Sequence, residues 1–172
     1  MKSKVCAVTP EQRLTLLLPR LAFVDAYRVT GQGSTLTARR AALAIFSELP
    51  AWVGALMALR NRIARGFGLK TPQPALPAGD TLTDTARLGS LPVMAESPEQ
   101  ILFGLDDSHL DFRIVVSVQP EQTGSRQVTV TSLVRTHNLL GRAYLRVVLP
   151  FHRLIVPHLL QQAAAVRRSL AS

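Results

Sequence analysis

Cysteine is all but missing from this chain. Cys6 is the only one in 172 residues, so an intrachain disulfide and a thiolate metal cluster are both excluded. A reducing, cytoplasmic setting is the expectation. Aromatic residues make up only 5% of the sequence. There is no base-stacking motif, zinc finger or helix-turn-helix signature, so nucleic acid is not an expected partner despite the net charge of +9. Long hydrophobic runs are lacking too. The most apolar stretch, Val147 to Leu160, is broken by His152, Arg153 and His158, and is too short and too polar to span a bilayer. Pro10, Glu11 and Arg13 interrupt the N-terminal region, so a signal peptide is not expected. No Gly-x-Ser-x-Gly nucleophile motif and no Gly-rich dinucleotide motif occur, and no cofactor is implied.

What is present suits one globular domain. Hydrophobic residues form 47% of the chain, and its length allows a substantial core. Charge is unevenly placed. Residues 1–72 carry 11 positive and 3 negative groups, residues 73–137 carry 4 and 8, and residues 138–172 carry 5 and none. Such a basic surface attracts anionic partners, whether a ligand or a lipid.

The order of elements can be read directly. Residues 1–20 read as an irregular lead-in and residues 21–172 as a single domain. Ala22–Thr30 is a strand, followed by a turn at Gly31–Gly33. Thr35 or Thr37 caps a helix whose apolar positions run from Ala38 to Leu49. A second helix is predicted over about 51–66, with stop signals at Gly66 and Gly68, and then a Pro-rich loop over 71–79. Strands follow at roughly 91–95, 100–105, 109–118 and 127–137. The last two form a hairpin, and Asn138 caps a long C-terminal helix.

The hairpin alternates cleanly. Leu110, Phe112, Ile114, Val116 and Val118 share one face with Val128, Val130, Ser132 and Val134. The other face carries His109, Asp111 and Arg113 on the first arm, and Arg135 and His137 on the second. Two registers are open: one sets His109 against Arg135 and Asp107 against His137, the other sets Asp111 against Arg135 and His109 against His137. A solvated face with ion pairs is one reading of these residues. A site is the other. There Arg113 or Arg135 binds an anionic group, and His109, Asp111 and His137 are the catalytic candidates. A metal site is not expected, because the nearby arginines oppose a cation.

In the last helix, projection at 100° per residue gathers Leu140, Tyr144, Val147, Phe151, Leu154, Ile155 and His158 on one face, which is taken as inward. The arginines, Pro150 and Pro157 fall opposite. Leu149, Val156 and Leu160 lie among the arginines and need cover, for which the N-terminal Leu14–Leu18 segment and a second subunit are the two expectations.

The segments GLDDSHLDFR and VRTHNLLGRAYLRVVLPFHRLIVPHLL, with FVDAYRV and PAWVGALMALRNRIARGFGLKT before them, resemble the bacterial family catalogued as domain of unknown function 2867. The resemblance covers about residues 20–165 and implies a stand-alone copy of a domain that elsewhere follows a dehydrogenase-like module. The strand–helix–helix–strands–helix order also resembles the helix-grip fold of START-like lipid carriers and polyketide cyclases. The expected class is therefore α+β, a curved antiparallel sheet wrapped around the C-terminal helix. The function this implies is binding of a small, partly apolar ligand, lipid-like or anionic, between sheet and helix. Arg113, Arg135, Tyr144, Val147, Phe151 and His158 are the expected ligand-binding residues. A cyclase-like or hydrolytic enzyme using the Asp/His/Arg cluster and a dimeric interaction module without ligand are the alternatives.

Overall fold

The computed structural model describes residues 4–31, 36–46, 87–88, 91–121 and 125–169, with backbone alone at 87–88 and 165–169. The helix predicted over 51–66 and the loop over 71–79 lie outside these residues. The described elements are β1 (Cys6–Ala7), α1 (Gln12–Thr15), β2 (Phe23–Gly31), α2 (Ala38–Phe46), β3 (Arg87–Leu88), β4 (Leu91–Glu96), β5 (Gln100–Asp106), β6 (Leu110–Pro120), β7 (Arg126–Thr136) and α3 (Leu139–Ser169). The strands form one antiparallel sheet in the order β1-β2-β7-β6-β5-β4-β3, with α3 packed chiefly on β2 and β7. This is the expected α+β arrangement of an antiparallel sheet with a long C-terminal helix. Two strands escape a reading from pattern: β1 and β3 have two residues each, too few for a period to show.

Local chemistry places the ends of the helices. The Thr37 hydroxyl accepts from the Arg40 N–H at 3.3 Å, which makes Thr37 the cap of α2. Asn138 Oδ1 accepts from the Gly141 N–H at 2.9 Å at the start of α3. The β6–β7 register is the second of the two anticipated: Asp111 lies opposite Arg135, Val118 opposite Val128, and the His137 N–H donates to the His109 carbonyl at 3.0 Å.

Alternation divides the sheet into two buried faces. On the inner face Val29, Ile101, Phe103, Val116, Val118, Val128 and Val130 pack against α2 and the C-terminal half of α3. Truncating a side chain as buried as Phe103 to alanine costs about 3–5 kcal/mol. On the outer face Val115 and Leu133 are covered by Leu14 and Leu18. Residues 4–20 are therefore not simply irregular. They supply β1, one turn of helix and the apolar cover of the outer face, because Val115 and Leu133 must be removed from water.

The rotation of α3 differs from the expected one. Its buried positions are Gly141, Leu145, Val156, Leu159, Leu160, Ala163 and Ala164, while Val147 is 56%, Phe151 38% and Leu154 67% exposed. His158 is exposed as well. The helix carries a second apolar stripe, which supplies its buried positions, while of the expected face Ile155 packs against the core and Leu140 and Tyr144 are half-buried. The same rotation removes the basis for a dimer through Leu149, Val156 and Leu160. Val156 and Leu160 belong to the core of this chain, and Leu149 is half-buried.

Candidate functional site

The charged hairpin face lies on the side of the sheet away from α3. Val115 and Leu133 of the same alternation are covered by the N-terminal segment, which sets Asp111, Arg113, Arg135 and His137 on the outer face. Two contacts tie them together: His137 Nε2 lies 2.9 Å from Asp111 Oδ1, and Arg113 Nη1 lies 2.6 Å from Asp106 Oδ1. The Arg113 guanidinium also donates to its neighbour Phe112 O at 2.9 Å. Gly104 makes room for this arginine, since a Cβ there would lie 2.2 Å from Phe112 O and 3.1 Å from the Arg113 Cδ.

His109 departs from the alternation. It precedes β6 by one residue, is 4% exposed, and packs its ring edge-on against Tyr144 of α3 at 5.6 Å between centroids. Its Nδ1 lies 3.4 Å from Asp107 Oδ2 without the alignment of a hydrogen bond. The three catalytic candidates thus do not converge on one reaction centre. Asp111 binds His137, while His109 is turned toward the helix.

These residues and the start of α3 form a joint. The Asn138 side chain caps α3 and donates to Ser108 O at 3.3 Å. The His109 carbonyl takes the His137 N–H and lies so close to the helix that a Cβ on Gly141 would sit 2.0 Å away. The segments GLDDSHLDFR and THNLLG therefore hold the helix to the end of the sheet.

A different polar group lies on the inner face, beneath α3. Asp25 on β2 meets His152 of α3, with Asp25 Oδ1 to His152 Nε2 at 3.2 Å. The His152 ring also meets Phe23 edge-on at 5.7 Å. Directly across the β2–β7 ladder from Asp25 stands Ser132, which is 3% exposed. Asp25 Oδ2 and Ser132 Oγ are both buried and have no hydrogen-bond partner. Two residues further along β2, burial raises the Tyr27 phenol above its ordinary pKa of 10.0. The Asp25 carboxylate adds to this effect and Arg153 opposes it, so the phenol keeps its proton at neutral pH.

Burial along the inner face is graded. Toward the β6–β7 turn, Val29, Val116, Val118, Val128 and Val130 are fully covered. Around Asp25 and Ser132, the neighbouring Phe23, Phe112, Ile114 and Val134 of the sheet and Val148 and Ile155 of α3 are only half-buried. A separate space of about 20 Å³ between α2, α3 and the sheet is lined by apolar residues such as Val29, Ile45 and Leu160, and has room for about one water molecule.

The expected ligand-binding residues are dispersed. Arg113 and Arg135 are on the outer face, Val147, Phe151 and His158 are exposed on α3, and Tyr144 is half-buried against His109. Asp25, Ser132 and His152 are not singled out by the sequence reading. A signal exists, since Ser132 sits among Val128, Val130 and Val134 on an otherwise apolar strand face, and Asp25 stands between Phe23 and Tyr27 on another. Among the described residues no three His, Cys, Asp or Glu side chains are grouped so as to hold a metal ion, and no described helix is long and apolar enough to cross a membrane.

Sheet, helix and joint define an α+β protein whose long terminal helix is fastened to one end of an antiparallel sheet. The chain belongs to the family described as Protein of unknown function (DUF2867), whose model matches residues 17–159. The comparisons with curated proteins and with solved structures found no match.

Proposed function

We propose that this protein binds a small, partly apolar molecule on the inner face of the sheet, under the N-terminal half of α3, in the manner of a START-like helix-grip carrier. The observation that carries this reading is the pair of buried, unpartnered oxygens, Asp25 Oδ2 and Ser132 Oγ, set in a half-buried apolar surround. A buried polar atom without a partner costs about 1–3 kcal/mol. Two stand on facing residues, and a bound polar group would remove that cost. The apolar walls would supply affinity, and the polar pair would fix orientation. The bacterial, cytoplasmic setting suggested by the sequence is compatible with such a carrier.

The test is fluorescence of an anilinonaphthalene dye with the full chain. Enhancement with the wild type that is displaced by medium-chain aliphatic compounds, and lost in Ile114→Trp without a drop in melting temperature, supports the reading. No enhancement, and no co-purified small molecule by native mass spectrometry, overturns it.

A second reading, an enzyme, is favoured by the Asp25–His152 contact. A carboxylate that holds one ring nitrogen orients the imidazole and leaves the other nitrogen to act as a base. On this reading the catalytic pair is not the outer Asp111 and His137. Turnover of a chromogenic ester panel that is abolished by His152→Ala and kept by His137→Ala would support it. Absence of turnover, or the opposite pattern, would reject it.

A further inference from the structure

We propose that the polar end of the ligand is a neutral hydroxyl, seated between Asp25 Oδ2 and Ser132 Oγ; this rests on the ligand-binding reading above. The two residues face each other across one rung of the β2–β7 ladder. Directly opposed Cβ atoms are about 4.5–5.5 Å apart, so the two side chains are close enough for one small polar group to contact both. Asp25 Oδ1 is engaged by His152, while Oδ2 is buried and without a partner. Ser132 is 3% exposed, and its hydroxyl has none either.

The chemistry of the two partners selects the third. An ionised carboxylate only accepts hydrogen bonds, so the incoming atom must donate to Oδ2. A serine hydroxyl donates or accepts. An alcohol satisfies both at once: its O–H goes to Asp25, and its oxygen takes the Ser132 proton. A ligand carboxylate would set acceptor against acceptor and like charge against like charge, in a place where little water screens them. An ammonium group donates to both oxygens but has no lone pair, so it leaves the Ser132 proton without an acceptor. The Arg113 and Arg135 side chains, which would favour an anion, are on the other face of the sheet. The selection is thus against the anionic ligand that the basic composition suggests.

Displacement of the anilinonaphthalene dye from the full chain by decan-1-ol, decylamine and decanoate tests this directly. Decanol is expected to compete at roughly tenfold lower concentration than decanoate, the ratio of about one net hydrogen bond. Ser132→Ala is expected to lower the affinity for decanol by roughly that factor, measured against the dye affinity determined for the same variant. Asp25→Asn, which presents an amide N–H, is expected to narrow or reverse the preference against decanoate. Circular dichroism and melting temperature confirm that each variant is folded, and Ser132→Thr, which keeps the hydroxyl, serves as the rescue. Decanoate or decylamine binding the wild type as well as decanol overturns the assignment of the head group alone. So does an equal loss for all three compounds in both variants. Failure of the dye and all three compounds to bind the wild type overturns the ligand-binding reading beneath it.

Discussion

The first turn of α3 rests on the carbonyl oxygen of His109: a Cβ at Gly141 would approach that oxygen to 2.0 Å. Gly141 therefore lets the helix dock where any other residue would hold it off. In an exposed helix interior, replacing Gly by Ala stabilises by about 1 kcal/mol. Here the sign reverses. Gly141→Ala is expected to destabilise by about 1–3 kcal/mol through overpacking, measured by chemical denaturation. A stabilised variant would show that the helix does not dock in this way.

Asn138 acts on both sides of the same joint, capping α3 through Oδ1 and reaching Ser108 O through Nδ2. Asn138→Ala is expected to cost about 1–2 kcal/mol, and Asn138→Asp less, since the carboxylate keeps the cap. Hydrogen exchange at the first amides of α3 will report the loss locally.

The outer-face pair, Asp111 with His137, gives a discriminating outcome. Asp111 is 9% exposed, so His137→Ala leaves a mostly buried carboxylate with less compensation and is expected to cost about 1–3 kcal/mol of stability. Dye binding on the inner face should not change, because the sheet separates the two. Loss of binding at full stability would return the functional site to the outer face.

One acid-sensitive contact fastens α2 to the sheet. The hydrogen bonds from Arg39 hold the Glu96 carboxyl below its ordinary pKa of 4.5, with burial opposing and the Arg39 charge adding. A folded-state pKa below the unfolded value means that this contribution is complete above the ordinary glutamate range. It is lost as pH falls through the lower, folded value. The stability difference between the wild type and Glu96→Gln should therefore be constant near about pH 6–7 and shrink as pH is lowered toward about pH 3. Urea denaturation across that range checks the sign.

Part of the candidate site is legible in the sequence. The hairpin alternation places Asp111, Arg113, Arg135 and His137 on one face, and one of its two open registers, Asp111 against Arg135, is the one formed. The inner site is not legible in the same way. Asp25, Ser132 and His152 lie on β2, β7 and α3, and only their cross-strand and sheet–helix contacts bring them together. Helix phase is the other obstacle. Leu140, Tyr144, Val147, Phe151 and Leu154 are spaced as regularly as Gly141, Leu145, Val148, His152 and Val156, so a helix apolar on two sides offers no single direction to bury.

The sequence by itself determined what the backbone repeats locally: the alternation and order of the longer strands, a helix cap at Thr35 or Thr37, and the cap at Asn138, because a period of two and a side-chain cap need only near neighbours. Only the tertiary structure decided which stripe of α3 meets the sheet and which polar atoms face one another there. Those choices depend on how the helix docks against the sheet, with Gly141 allowing the close approach and Leu145, Val156 and Leu160 filling the space beneath it, and no local spacing encodes that fit.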